Sequence, residues 1–432
     1  MTLAVLIGGF LGLFMLGAPV SLAIGIPSLG ALLVGGHSVQ ELPRYLMSGT
    51  DSFILLAIPF FILAGNLFNV SGATRRLFAF SEAAIGRLPG GQGQVTILAN
   101  VVFSGMSGAA LADIAGLGTI VNRAMRDAGY RPSFAAATIL AGSILGPMIP
   151  PSIMFIIYAA ATNTSAGRLF LAGAAAGILI AALLMLFIAF MALSGREPCP
   201  PAASFSAGEL ARRTFRALPA LAAPVLILGA MRTGAVTATE AGMLATVYAA
   251  LLGLPYAGFT PSNLAWAVTD SVVTTANILW LIAMSTVMGH ILTIEGVAQA
   301  LSVWMADVTD SRVVALVVIN LGLLVLGCIL ETTPALLITS PILVPIVARY
   351  GVDPVHFGVV ICLNLIIGII TPPMGIGLFA VAGVTKLPVE TVTRATLPYL
   401  IPLLLALALI TYVPALTLWL PDLVMGPALT RR

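Results

Sequence analysis

Long apolar runs separated by short polar segments make up most of the chain. A membrane-spanning α-helix needs about 20 consecutive apolar residues, whereas a membrane β-strand shows about ten residues of alternating polarity. The continuous runs therefore predict spanning helices rather than a β-barrel. About ten such spans are predicted, at 2–17, 19–36, 53–70, 133–163, 169–194, 218–232, 238–254, 264–293, 355–383 and 395–420.

Two further apolar regions, at 92–122 and 313–347, are interrupted by small and polar residues. The first of them has about 30 residues, whereas two full crossings need about 40. Its apolar pattern is broken by a Gly/Ser segment at 104–108. These features predict two re-entrant hairpins, each of which enters and leaves the membrane on one side.

The charges of the connecting loops predict which side of the membrane each loop occupies. Lys and Arg concentrate in cytoplasmic loops. The loops at 71–90, 123–131 and 195–216 each carry at least three arginines, so they are predicted to be cytoplasmic. The loops that flank the second hairpin, at 294–312 and 348–354, are acidic or neutral and are predicted to be external. The two hairpins are therefore expected to open to opposite sides.

A set of glycines and prolines occurs twice along the chain, and every matching pair is separated by the same number of positions. The first copy has Gly105, Gly129, Pro132, Gly146, Pro150 and Pro151, and the second has Gly327, Gly351, Pro354, Gly368, Pro372 and Pro373. Because their loops differ in charge, the copies are predicted to be inverted across the membrane, which is an architecture of secondary transporters. The predicted organisation is a first repeat at 1–195, a cytoplasmic linker at 196–217 and a second repeat at 218–432.

The composition excludes several classes of protein. Only 8% of the 432 residues are charged, against about 25% in an average soluble protein. The net charge of +3 is too small for a phosphate-binding surface, so no nucleic-acid partner is expected. The chain has no His-Glu-x-x-His, Gly-x-Ser-x-Gly or phosphate-loop motif. The sequence therefore predicts an all-α integral membrane protein that is not an enzyme.

Pro-Pro pairs interrupt two of the predicted spans near their middle, at 150–151 and 372–373. Proline removes a backbone donor and leaves the carbonyl four residues earlier without its helical partner. In hydrocarbon such carbonyls are tolerated only where protein, water or an ion satisfies them. A structural kink is one interpretation. The recurrence of the Pro-Pro pair in both copies favours an ion or substrate site, since Na⁺ prefers carbonyl and hydroxyl oxygens.

The tips of both predicted hairpins hold hydroxyl groups and one carboxylate, Asp113 in the first and Glu331 in the second. A carboxylate inside the membrane is costly and is by default a functional candidate. The alternative role for both acids is capping of a helix N-terminus at the tip. The two roles are compatible.

The chain resembles the large membrane subunit of tripartite ATP-independent periplasmic (TRAP) transporters, the DctM-like family, along essentially its whole length. The resemblance rests on the segments 51–65, Ser107-Gly108, Ala112-Asp113, 146–152, Thr239-Glu240-Ala241, Glu331-Thr332-Thr333, 353–358 and 371–375. It implies an inverted-repeat, elevator-type importer of small carboxylates in the inner membrane of a bacterial or archaeal cell. Na⁺ would be the coupling ion, with no organic cofactor. Its implied partners are a DctP-like periplasmic substrate-binding protein and a separate DctQ-like small membrane subunit.

The resemblance and the tip motifs together predict two Na⁺ sites, each between a hairpin tip and a broken helix. The first consists of Ser104, Gly105, Ser107, Asp113, Gly146 and Pro147. The second consists of Glu331, Thr332, Thr333, Thr371, Pro372 and Gly375. Substrate contacts are predicted at Pro150, Pro151, Pro373 and Asn364. A stand-alone Na⁺/carboxylate symporter that needs no partner subunit is the alternative function.

Overall fold

The computed structural model describes residues 1–197, 199–200, 206–232, 236–256 and 258–427, and its regular secondary structure there is entirely helical. The all-α prediction is confirmed. The helices are α1 (Thr2–Met15), α2 (Val20–Val34), α3 (Leu42–Thr50), α4 (Ala57–Val70), α5 (Ala73–Ile85), α6 (Gln92–Ser107), α7 (Ala110–Ala115), α8 (Leu117–Asp127), α9 (Pro132–Ser143), α10 (Ile153–Thr162), α11 (Ala166–Leu193), α12 (Ala207–Arg232), α13 (Ala238–Tyr256), α14 (Pro261–Ile294), α15 (Val297–Val308), α16 (Arg312–Ile329), α17 (Thr332–Arg349), α18 (Pro354–Ile369), α19 (Ile376–Thr385), α20 (Val389–Thr396), α21 (Leu400–Tyr412) and α22 (Ala415–Met425). Short 3₁₀ turns lie at Val39–Glu41, Phe53–Leu56 and Leu397–Tyr399.

Within the described ranges, 8 helical segments are long and apolar enough to cross a membrane, so the chain is a multi-pass membrane protein. They are Phe53–Val70, Ala166–Leu193, Ala207–Met231, Ala238–Tyr256, Pro261–Ile294, Arg312–Ile329, Thr332–Arg349 and Val389–Tyr412. The longest, α14, has 34 residues, which is about 50 Å of helix against a hydrocarbon core of about 30 Å. It must therefore tilt or extend beyond the membrane.

Both predicted hairpins are broken at their tips. In the first, α6 ends at Gly108, whose φ of +66° is the left-handed conformation that favours glycine. The chain then turns through α7 and returns along α8, which packs on α6. In the second, α16 and α17 are joined at Leu330 and Glu331, which are both extended.

The two proline-broken spans each consist of two helices. In the first copy, α9 and α10 are separated by the non-helical segment 144–152, all of which is buried. In the second copy, α18 and α19 are separated by 370–375, where Pro373 and Met374 are exposed. The corresponding breaks therefore differ in how deeply the chain encloses them.

Four of the predicted spans differ clearly in extent from the helices of the structure. The span predicted at 218–232 begins earlier, because α12 starts at Ala207 and includes part of the predicted linker. The span predicted at 395–420 is divided at Val413, which is not helical because it precedes Pro414. The first two predicted spans are helices of only 14 and 15 residues, and these pack against each other.

The core is organised around α18, in which every residue from Val355 to Gly368 is buried. Helices α10, α11, α16, α17 and α21 pack around it. On the opposite side, α14 packs against α2, α3 and α4, and it also contacts α17 of the second hairpin. The functional groups described next lie between these two parts of the structure.

Candidate functional site

The tip of the first hairpin contacts the first broken helix through Asp113. This side chain is 1% exposed, and its Oδ1 accepts a hydrogen bond from Ser107 Oγ. A Cβ on Gly146 would lie 2.5 Å from Asp113 Oδ2, so only glycine leaves room for the carboxylate. The structure therefore brings together Ser107, Asp113 and Gly146, as predicted. Their role as Na⁺ ligands stays a prediction.

Two buried oxygens at this tip make no hydrogen bond of ordinary length and angle with the described residues. They are Asp113 Oδ2 and Ser104 Oγ. A buried polar group is normally hydrogen-bonded, and each exception requires an explanation. Carboxylate, hydroxyl and carbonyl oxygens form the donor set that hard cations prefer. The chemistry of these residues therefore fits a cation.

The same tip is seated on the Pro-Pro turn of the broken helix. A Cβ on Gly108 would lie 2.5 Å from the carbonyl oxygen of Pro151. A Cβ on Gly105 would meet Pro224 Cγ at 2.4 Å and the carbonyl oxygen of Pro150 at 3.6 Å. Pro150 and Pro151 thus contact the hairpin backbone directly. These two residues were predicted to contact substrate, and in the structure they position the hairpin tip.

In the second copy the close approach is between backbones. A Cβ on Gly368 of α18 would lie 2.2 Å from the carbonyl carbon of Gly327 in the hairpin. Thr371 belongs to the turn that follows, where its Oγ1 donates to Ile367 O at 2.8 Å. Gly375 closes this turn by donating its N–H to Thr371 O at 3.2 Å. The second hairpin and the second broken helix are therefore in direct contact, as predicted.

A cavity of about 530 Å³ lies between the two hairpin tips. Its wall includes Ser107 and the residues after it in the first tip, and Glu331, Thr332 and Thr333 in the second. Pro147 also lines it, whereas Thr371, Pro372 and Gly375 do not. We call it the central cavity. The residues predicted for the second Na⁺ site are thus divided between two places. The three from the hairpin line the cavity, and the three from the broken helix lie in the adjacent turn.

Three helices of eight or more residues begin at the central cavity. The first residues of α10, α17 and α19, which are Ile153, Thr332 and Ile376, all line it. The N-terminal end of a helix carries partial positive charge and unpaired N–H groups. Among the described residues that line the cavity, none is Lys, Arg or His. The helix N-termini are therefore the positively polarised groups of the described lining, whose charged side chains are Asp270 and Glu331.

Sequence reasoning missed the opposite wall of the central cavity. Asp270, Thr274 and Asn277 of α14 line it together with Asn66 and Asn69 of α4. Asn66 Nδ2 donates to Asp270 Oδ2 at 3.0 Å and to Ser271 Oγ at 3.0 Å. The available signal was an acid inside the predicted span 264–293, followed by polar residues at helical spacing.

None of the four residues predicted to contact substrate lines the central cavity. Asn364 is buried in α18. Its Nδ2 donates to Asn320 Oδ1 at 2.9 Å, and Asn320 Nδ2 donates to Thr411 Oγ1 at 3.1 Å. This buried chain joins α16, α18 and α21, which is a packing role. Pro373 is exposed on the surface of the turn and does not line the cavity either.

Comparison with known proteins matches nearly the whole chain. The family described as "Tripartite ATP-independent periplasmic transporter, DctM component" matches residues 7–416. The sialic acid TRAP transporter large permease protein SiaM of Vibrio cholerae is 40% identical over 97% of this chain and 98% of its own length. The C4-dicarboxylate TRAP transporter large permease protein DctM of Pseudomonas aeruginosa is 37% identical over 91% and 92%. These relatives are permeases, not enzymes.

Two solved transporter structures share the fold. The YdaH transporter of Alcanivorax borkumensis has a TM-score of 0.62 at 15% identity and covers 86% of each chain. Neisseria gonorrhoeae MtrF has a TM-score of 0.54 at 16% identity and covers 87% of this chain and 84% of its own. At such low identity the likeness extends to the fold alone.

Proposed function

Since the chain belongs to the DctM family of TRAP transporter large permease subunits, we propose that it imports a small carboxylate together with Na⁺. The cargo would be delivered by a DctP-like periplasmic binding protein, and a DctQ-like small membrane subunit would complete the transporter in the inner membrane. The relatives named for sialic acid and for C4-dicarboxylates both carry organic acids, which supports this class of cargo.

The observation that carries the proposal is the central cavity. It has no basic side chain among its described lining residues, yet three helix N-termini begin at it. Anions are stabilised at such ends by backbone N–H groups and the helix dipole. Half-helix N-termini at mid-membrane bind the carboxylates of substrates in secondary transporters. These helix N-termini would therefore hold the carboxylate of the cargo, and bound Na⁺ would offset the negative charges of Asp270 and Glu331 in the same lining.

The first hairpin tip supports Na⁺ as the companion of the cargo. A cation near Asp113 Oδ2 and Ser104 Oγ would satisfy two buried oxygens and hold the tip against Gly146. Because Ser107 also lines the central cavity, ordering of this tip would shape the cargo site. Coupling requires that Na⁺ bind the loaded state more tightly than the empty one. In the elevator mechanism, the hairpins and broken helices would then move against α4 and α14.

The proposal is tested by reconstitution into liposomes. The chain, its small subunit and a loaded binding protein are expected to give uptake only with an inward Na⁺ gradient and only with the binding protein present. Radiolabelled sialic acid and succinate are the first cargoes to compare. Uptake by the chain alone would establish the stand-alone symporter instead, and uptake without a Na⁺ gradient would refute the coupling.

Asp270 is expected to position Asn66 at the wall opposite the hairpins. Asp270→Ala removes the carboxylate to which Asn66 Nδ2 donates, so Asn66 would lose its fixed orientation at the cavity and the KM for uptake should rise about tenfold, as expected for the loss of a hydrogen bond to a charged group. Asp270→Asn, which keeps an acceptor oxygen, should raise it less. The matched control is Asp307→Asn, an exposed acid on α15, with an unchanged KM. Equal effects of Asp270→Ala and the control would exclude this role.

A further inference from the structure

A second cavity, of about 750 Å³, lies between α5, α12 and the C-terminal end of α13. It shares no lining residue with the central cavity. Five arginines and two glutamates line it, so it is strongly basic. The arginines are Arg75, Arg76, Arg212, Arg213 and Arg216. We call it the arginine pocket.

Both glutamates of the arginine pocket are bound by Arg212 or Arg213. Arg213 Nε donates to Glu209 Oε1 at 2.6 Å, and its Nη1 donates to Glu82 Oε2 at 2.6 Å. Arg212 bonds to Glu209 as well. These ion pairs join α12 to α5. The positive charges of the remaining three arginines are not balanced by another carboxylate in the described lining.

One wall of the pocket is held in place by Tyr256. The guanidinium carbon of Arg76 lies 3.6 Å from the centre of the Tyr256 ring, which is a cation–π contact. Tyr256 Oη in turn donates to the carbonyl oxygen of Arg216 at 2.9 Å. Arg76 is thus positioned by groups from α12 and α13. A fixed guanidinium loses less entropy when it binds a ligand than a solvated side chain does.

The pocket is continuous with apolar surface. Phe215, which lines it, is 78% exposed, and Leu218 on the next turn of α12 is 53% exposed. Because α12 is long and apolar enough to span the membrane, its exposed apolar side chains are available to lipid acyl chains. The segments 71–90 and 195–216, which include α5 and the start of α12, are rich in arginine, which predicts that this end of the helices lies on the cytoplasmic side.

We propose that the arginine pocket binds the phosphate group of an anionic phospholipid from the cytoplasmic leaflet. Arginine pairs with phosphate oxygens in a bidentate geometry. Basic pockets between membrane helices on the cytoplasmic side suit such headgroups. Acyl chains would lie along Phe215 and Leu218. A soluble phosphate shares the headgroup chemistry but makes no use of this apolar surface.

The full-length chain is to be purified in mild detergent, exposed to equal amounts of phosphatidylglycerol and phosphatidylcholine, and analysed by native mass spectrometry. We expect selective retention of phosphatidylglycerol. The variant Arg75→Gln/Arg216→Gln should reduce that retention about tenfold, whereas Arg75→Lys/Arg216→Lys should preserve most of it. Neither variant touches Arg213, so the ion pairs that join α5 and α12 stay intact. The matched control is Arg123→Gln/Arg126→Gln, which removes two exposed arginines of α8 and should leave retention unchanged.

Three results would overturn the proposal. The first is equal retention by the Arg75→Gln/Arg216→Gln variant and the wild type. The second is complete displacement of phosphatidylglycerol by millimolar inorganic phosphate, which would identify a site for soluble anions. The third is loss of retention when the small subunit is added, which would identify a protein interface. None of these outcomes depends on Na⁺ coupling or on the cargo.

Discussion

Asp113→Asn is expected to abolish Na⁺-dependent uptake while the chain stays folded. The substitution preserves volume beside Gly146 and a hydrogen-bonding partner for Ser107. It removes the negative charge of the carboxylate, and that charge would offset the cost of burying Na⁺ in the membrane. Loss of a charged interaction of about 3 kcal/mol corresponds to a decrease of roughly hundredfold in initial uptake rate. The measurement is uptake in proteoliposomes over a range of Na⁺ concentrations.

The matched control for this experiment is Asp127→Asn, in the same hairpin. Asp127 is exposed and lies 3.8 Å from Arg123 in a surface ion pair, so its replacement should leave uptake unchanged. Ser107→Ala should give a smaller decrease than Asp113→Asn, because the hydroxyl that it removes would be a neutral ligand of the proposed Na⁺. Normal uptake by Asp113→Asn, with the Na⁺ dependence of the wild type, would remove Asp113 from the first Na⁺ site.

Gly368→Ala is expected to separate the second hairpin from the second broken helix. The new Cβ would lie 2.2 Å from the carbonyl carbon of Gly327 and 2.3 Å from its oxygen. These atoms belong to backbone, which cannot rotate away as a flexible side chain can. Overpacking of this kind destabilises by about 3 kcal/mol, and the displaced hairpin should also lose uptake. The midpoint of thermal unfolding of the purified chain reports the first effect.

Gly322→Ala is the control for Gly368→Ala, since Gly322 lies in α16 of the same hairpin and a Cβ added there would meet no atom within 4 Å. Alanine is the better helix former by about 1 kcal/mol, so the unfolding midpoint should stay constant or rise. If the two variants unfolded at the same temperature, the result would contradict the close contact between the hairpin and α18.

Features that depend on local chemistry were predictable from sequence. A Pro-Pro pair removes two adjacent backbone donors wherever it occurs in a helix, so the breaks between α9 and α10 and between α18 and α19 were visible directly. The Gly/Ser segment at 104–108 and the polar residues Glu331, Thr332 and Thr333 within the apolar region 313–347 likewise predicted the two tips. Pro414 was an equally local signal for the division of the last predicted span, but its apolar neighbours obscured it.

Side-chain partners were not predictable in the same way. Asp270 and Asn364 both lie inside predicted spans, and nothing local distinguishes a cavity wall from a packing contact. Asp270 meets Asn66 across more than 200 positions of sequence, and Asn364 meets Asn320 in another helix. Only the packing of α4 against α14 places the former at the central cavity.

The sequence by itself determined the helical membrane class, the repeated broken helices and the hairpin tips. These follow from hydropathy, backbone hydrogen bonding and loop charge, which act over one or a few turns of chain. The family came from the resemblance of its motifs. The tertiary structure alone decided that both tips and three helix N-termini surround one cavity. It also decided that Asp270 faces that cavity, and that five arginines from two distant segments share one pocket. Such groupings arise from packing between helices, because residues far apart in sequence become neighbours only when their helices meet.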